Sequence, residues 1–166
     1  MKFLERDLEQ IIHEANIEEL YKQGLFLGTK IKRQVRIGNY GICDLLGIHR
    51  TSHRETDKDD WRLVFTICEL KQKSLSVSAF LQAIRYAKGL SEYLKKHRQS
   101  LYFKHEIRIV LIGDDLPLDS SLIYLPDFIP SYASGLISLE MYTYSMSLNG
   151  LKFHIHEGYK LKNPGF

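Results

Sequence analysis

The sequence predicts an α/β domain with the element order helix, three strands, helix, strand, short helix, hairpin. Three observations carry this. Strand-like runs follow one another between turn signals at residues 30–37, 42–48 and 61–73. One long amphipathic helix comes next, from about residue 77 to 97. A nearly all-apolar run then spans 106–113, as in a central strand covered on both faces. Such pieces make an antiparallel three-strand meander, joined through the helix by a right-handed crossover to the next strand.

Each element has its own signal. Phe3, Leu4, Leu8, Ile11, Ile12 and Ala15 recur at three- and four-residue spacing, so residues 3–15 read as an amphipathic helix. Asn16 stops it, and a short helical piece over 17–23 ends at Gly24. In the first strand Ile31, Val35 and Ile37 alternate with Lys30, Lys32, Arg33, Gln34 and Arg36, which gives a basic exposed face. That face suits either a phosphate backbone or an edge strand protected by charge. Gly38-Asn39-Tyr40-Gly41 predicts a tight hairpin turn, and the polar stretch 50–60 a surface hairpin loop. Ser74 to Ser78 supply N-caps for the long helix, whose apolar stripe is Phe80, Leu81, Ile84, Ala87, Leu90 and Leu94. Residues 120–134 hold Pro126 and Pro130 and allow only a short helix. Residues 136–145 and 151–156 flank Asn149-Gly150, a strong hairpin signal.

Charge in unusual places points to chemistry. Glu69 and Lys71 sit two apart on the third predicted strand, so they project to one face. Asp44 interrupts the second apolar run, and if the two strands pair, two carboxylates and a lysine converge on a sheet that is otherwise buried. Unpaired buried charge is costly, so such a cluster holds a metal, a ligand or water. Two carboxylates suit Mg²⁺ or Mn²⁺, which leaves part of its shell to water and substrate oxygens. A structural Glu69–Lys71 ion pair is the plain alternative. Gln82 and Tyr86, four apart on the helix, share a face and are either site residues or a surface pair. Asp114-Asp115 reads as a turn former more readily than as a metal pair. His154 and His156 share a strand face but have no third ligand near them in the chain.

Taken in order, Gly41-Ile42-Cys43-Asp44-Leu45, Glu69-Leu70-Lys71 and Gln82-Ala83-Ile84-Arg85-Tyr86 resemble the PD-(D/E)XK nuclease superfamily. With Glu5-Arg6-Asp7-Leu8 at the start, they are most similar to its branch with a QxxxY helix motif, the RecB-like and NucS-like nuclease domains. The resemblance covers roughly the first two thirds of the chain. It implies a restriction-endonuclease-like core and metal-dependent hydrolysis of phosphodiester bonds in DNA. Asp44 and Glu69 would bind Mg²⁺ or Mn²⁺, and Lys71 would serve the phosphoryl oxygens and the attacking water. Gln82 and Tyr86 would position substrate or the site, and Glu5 matches a first-helix glutamate that supports the metal. Lys30, Lys32, Arg33, Arg36 and Arg85 are candidate DNA contacts. NucS-like enzymes carry a separate DNA-binding or dimerisation domain. Here targeting is expected from a partner protein, a homodimer, or the loop and basic strand. The alternative from another class is a nuclease-like module that no longer cuts and serves binding or assembly.

Length and composition set the frame. The 166 residues predict one domain over 1–166, long enough to bury a core without disulfides. Hydrophobic content of 44%, charged content of 26% and net charge +3 are ordinary for a soluble protein and permit a nucleic-acid partner. No signal-peptide core opens the chain and no apolar run approaches 18 residues, so a cytoplasmic protein without a membrane span is expected. Cys43 and Cys68 each precede a candidate carboxylate and are expected as reduced thiols in the core, pointing away from Asp44 and Glu69. No P-loop, no GxGxxG and no metal-knuckle cysteine spacing occurs.

Overall fold

The computed structural model describes residues 4–53, 60–97, 104–117, 121–124 and 136–156. Nine elements matter for the site: α1 (Glu5–Glu14), α2 (Ile17–Lys22), β1 (Lys30–Arg36), β2 (Ile42–His53), β3 (Asp60–Leu70), α3 (Val77–Lys96), β4 (Lys104–Gly113), β5 (Leu136–Ser147) and β6 (Gly150–His156). The strands form one six-stranded mixed sheet in the order β1-β2-β3-β4-β5-β6. β1, β2 and β3 are the antiparallel meander; β4 is parallel to β3, β5 is parallel to β4, and β6 returns antiparallel. The chain is therefore α/β, and β1 is an edge strand, in keeping with its alternating exposed charges.

Two apolar layers sandwich the sheet, which explains why β4 is apolar at nearly every position. Ile107, Ile109 and Leu111 join the layer under α3, while Val110 and Ile112 join the opposite one. α3 contributes Ala83, Tyr86, Ala87, Leu90 and Leu94 against Leu46, Phe65 and Ile67. α1 and α2 contribute Leu8, Ile12 and Leu20 against Leu45, Cys68, Leu70 and Tyr142. Burying a side chain such as Leu8 or Ile12 contributes roughly 2 kcal/mol relative to leaving it in water. Arg108, the polar exception in the middle of β4, is neutralised on the α1–α2 side. Its guanidinium holds Glu140 of β5 through two bonds, of 2.5 Å and 2.6 Å, and also bonds the Phe26 carbonyl.

Local capping follows residue chemistry. Asn16 ends α1 and caps α2, its Oδ1 accepting from Glu18 N at 2.8 Å. Ser76 caps α3 by accepting from Ala79 N at 3.4 Å. Gly150, at φ +96°, takes the positive φ of the β5–β6 turn. Among the described residues no helix is long and apolar enough to cross a membrane.

Several expectations are corrected. The 38–41 turn does join β1 to β2 as a hairpin, but its form is one turn of 3-10 helix (Gly38–Tyr40), with Ile37 N donating to Gly41 O at 2.8 Å. The polar stretch 50–60 is not all loop. β2 and β3 stay paired out to His53–Asp60, because ladder hydrogen bonds need backbone and not apolar side chains; residues 54–59 lie outside the described residues. β3 ends at Leu70, so Lys71 stands just past the strand, though its N–H still reaches Ile112 O at 2.8 Å. Leu81 is 59% exposed and Leu4 and Ile11 are exposed as well, since each stripe is narrower than the count of apolar residues suggested. Phe3 and most of 120–134 lie outside the described residues, apart from a 3-10 turn, Ser121–Tyr124.

Candidate active site

The site is built where β2 and β3 run out of ladder. Their last antiparallel pair at this end is Leu45–Cys68. One step further along the same register, Asp44 stands opposite Glu69. Asp44 pairs with neither neighbouring strand; its Oδ2 accepts from Leu70 N at 2.8 Å, taking a backbone donor the ladder no longer serves. Glu69 is 1% exposed. Its Oε1 accepts from Lys71 Nζ at 2.8 Å, while its Oε2 is buried with no partner. Glu5 of α1 closes the third side, its Oε1 accepting from Gln72 N at 3.1 Å.

The electrostatics follow from that packing. Burial pushes Glu69 up to about 7, with the Asp44 charge adding to it and Lys71 opposing. Asp44 is raised as well, first by burial and further by Glu9 and Glu5, against the Leu70 N–H and Lys71. For Lys71, burial is the largest single influence and lowers it. The Glu69 bond and the charges of Glu69, Glu5 and Asp44 together outweigh burial and leave it raised. These couplings place Glu5, Asp44, Glu69 and Lys71 in one charged neighbourhood.

Gln82 and Tyr86 form a unit on α3. Gln82 Nε2 donates to Tyr86 Oη at 2.8 Å, and Tyr86 is buried in the layer that also holds Cys43. The pair is thus not an exposed one. Gly41 makes room for it: at φ +122°, a Cβ there would lie 2.8 Å from Tyr86 Cε1. Tyr86 therefore abuts the backbone three residues before Asp44. Arg85 is exposed, with its guanidinium 5.6 Å from the Tyr86 ring centre.

The remaining candidates lie elsewhere. Lys30, Lys32 and Arg36 are exposed on β1, whereas Arg33 is bound to Glu9 of α1 at 2.6 Å. Lys32 and Arg36 border a groove of about 790 Å³ between β1 and the C-terminal half of α3, floored by Leu46, Phe65 and Leu90. None of Asp44, Glu69, Lys71, Gln82 or Tyr86 lines it. His154 and His156 pair with Ser145 and Thr143 at 2.9 Å and 2.8 Å. Asp115 follows the bend at Asp114, and its backbone carbonyl accepts from Leu75 N at 2.9 Å.

The cysteines are reduced and buried, but on opposite faces: Cys43 lies in the α3 layer and Cys68 in the α1–α2 layer. Burial pushes Cys43 up to about 12 and Cys68 well above its ordinary value, which makes both poor nucleophiles. The sequence pattern missed Glu9 altogether, a carboxylate only 4% exposed, because its partners are 24 and 25 residues away.

Among the described residues no three His, Cys, Asp or Glu side chains are grouped to hold a metal. The donor set is two carboxylates, one carrying an unpartnered buried oxygen. That fits a hard divalent ion which takes one or two carboxylates and completes its shell with water and substrate. Comparison of the chain with family models, curated proteins and solved structures finds no match.

Proposed function

We propose that this chain is a metal-dependent nuclease domain of the PD-(D/E)XK type, hydrolysing phosphodiester bonds in DNA. The observation that carries the reading is Glu69: a carboxylate 1% exposed, with one oxygen unpartnered, beside Asp44 and held by Lys71. An unmet buried acceptor costs about 1–3 kcal/mol, a cost a bound cation would remove. The α/β order, with the meander followed by α3 and a parallel β4, is the core the reading requires.

Asp44 and Glu69 would hold Mg²⁺ or Mn²⁺. The bound ion would polarise the phosphodiester and lower the pKa of a coordinated water. Lys71 has three N–H donors and gives one to Glu69, so two remain for a phosphoryl oxygen and the attacking water. Its charge stabilises the transition state more than the ground state, because negative charge builds on the phosphoryl oxygens as the bond breaks. Tyr86 accepts from Gln82 and keeps its own hydroxyl proton to donate; Gln82 keeps its carbonyl and one N–H for substrate or for a water on the carboxylates. Lys30, Lys32, Arg36 and Arg85 offer exposed positive charge to a DNA backbone.

The test is cleavage of labelled single-stranded, flap and duplex DNA with Mn²⁺. Activity is expected in the wild type and lost in Asp44→Ala and Glu69→Ala. Equal cleavage by the variants would mark a contaminant and overturn the assignment. A wild type that binds DNA but neither cuts it nor binds Mn²⁺ would be a binding module instead.

A further inference from the structure

β1 contains a feature that a regular strand cannot have. Consecutive strand residues point to opposite faces, yet Arg33 and Gln34 both hold the carboxylate of Glu9. Arg33 Nε donates to Oε1 at 2.6 Å and Gln34 Nε2 to Oε2 at 2.6 Å. The backbone shows how: Gln34, at φ +48°, is the one non-glycine positive φ among the described residues. Such a conformation costs about 1–2 kcal/mol for an ordinary side chain and needs something to hold it.

The break is matched across the ladder. β1 and β2 pair in one constant register from Lys30–Ile48 to Arg36–Ile42, with a single gap where Gln34 faces Asp44. On either side of the gap the pleat reverses. Leu45 lies in the α1–α2 layer, and Cys43, two residues away and due on the same face, lies in the α3 layer. Asp44 is the pivot. Freed from β1, it turns its carboxylate to Leu70 N on the other neighbour.

We infer that Glu9 is a positioning residue: by clamping Arg33 and Gln34 it holds the break in β1 that releases Asp44 from the ladder and aims its carboxylate into the site. The functional weight of this rests on the nuclease reading above; the geometric claim does not. Glu9 touches no reacting group and acts through Gln34.

The test separates backbone conformation from side-chain contact. Valine at position 34 disfavours positive φ, so Gln34→Val should straighten β1, close the gap and draw Asp44 back into the ladder. Glycine accepts positive φ freely, so Gln34→Gly should keep the break. Two readouts are taken on folded protein: the amide shift and exchange rate of Leu70 by NMR, and Mn²⁺ affinity by calorimetry. Glu9→Ala and Gln34→Val should speed Leu70 exchange at least about tenfold, as Asp44→Ala should too, and weaken Mn²⁺ by about 10- to 100-fold, the range for groups that orient a metal ligand. Gln34→Gly should stay within about threefold of wild type on both. If Leu70 is unchanged in Glu9→Ala and Gln34→Val, or if the glycine variant loses as much as the valine one, the inference is overturned. A wild type without Mn²⁺ affinity whose Leu70 amide still follows this pattern supports the clamp and overturns the metal site.

Discussion

Glu69 makes the metal-free protein sensitive to pH in a direction opposite to carboxylates whose values are depressed by an ion pair. Its folded-state value is about 7 against an ordinary 4.5, because burial and Asp44 disfavour its charge. In the unfolded chain it ionises near the ordinary value. Between these limits the folded state holds a proton that the unfolded state has lost, so stability falls as pH rises. The contribution is fully present below about pH 4.5 and is gone once pH has passed about 7. At about 1.4 kcal/mol per pH unit, the window is worth about 3 kcal/mol, a large part of the 5–15 kcal/mol typical of a domain. Asp44, shifted the same way, adds to it. For a chain of this size that is about 6–12 °C in Tm. The assay is thermal unfolding by circular dichroism in chelator from pH 4.5 to 8, for wild type and Glu69→Gln. Wild type should lose stability across the window and the glutamine variant should show a much flatter profile. A wild-type profile that rises with pH, or a slope untouched by Glu69→Gln, would refute the reasoning. Added Mn²⁺ should restore most above pH 7, where the site is ionised.

Three further outcomes follow from the same geometry. Lys71→Ala should lower kcat by about 10²–10³ with little change in KM, whereas Gln82→Ala should mainly weaken DNA or metal binding; single-turnover cleavage at saturating DNA and metal separates them. Gly41→Ala should cost about 1–3 kcal/mol in urea unfolding, since its Cβ would lie 2.8 Å from Tyr86 and its φ is +122°.

Much of the scaffold was legible because it is written in periodicity. The all-apolar run in β4 required cover on both faces, and it has two layers. That Asp44 and Glu69 come together could be read from sequence only on the condition that β2 and β3 pair; the register that sets them one step past Leu45–Cys68 was not legible there. What was hidden depends on backbone conformation at single residues and on distant partners. Glutamine carries no preference for positive φ, so nothing at position 34 announced the break. Cys43 and Cys68 were expected to be alike, each facing away from its carboxylate. The reversal at Asp44 separates them onto opposite faces. Leu81 is apolar yet lies off the buried arc of α3, which apolar spacing alone does not resolve. Glu9 stands off the apolar stripe of α1, where spacing gives no sign of burial, and only its contact with β1 distinguishes it from its neighbours.

The contacts of α1 also set the order in which the site comes together. Glu5 reaches across 67 residues to Gln72, and Glu9 across 24 and 25 to Arg33 and Gln34. The β1–β2–β3 meander closes through short sequence separations, whereas α1 can dock only onto a sheet face that Leu45, Cys68 and Leu70 have already built. α1 is thus among the last elements to be needed. In the folded chain it is held mainly by Leu8 and Ile12, and a single ten-residue helix can lift off without unzipping the sheet. Each such opening releases Glu5 and Glu9 together while the β2–β3–β4 ladder stays paired. On the clamp inferred above, the share of molecules with Asp44 turned to Leu70 N follows the docking of α1, so a loosened α1 would disturb that geometry before the sheet is lost.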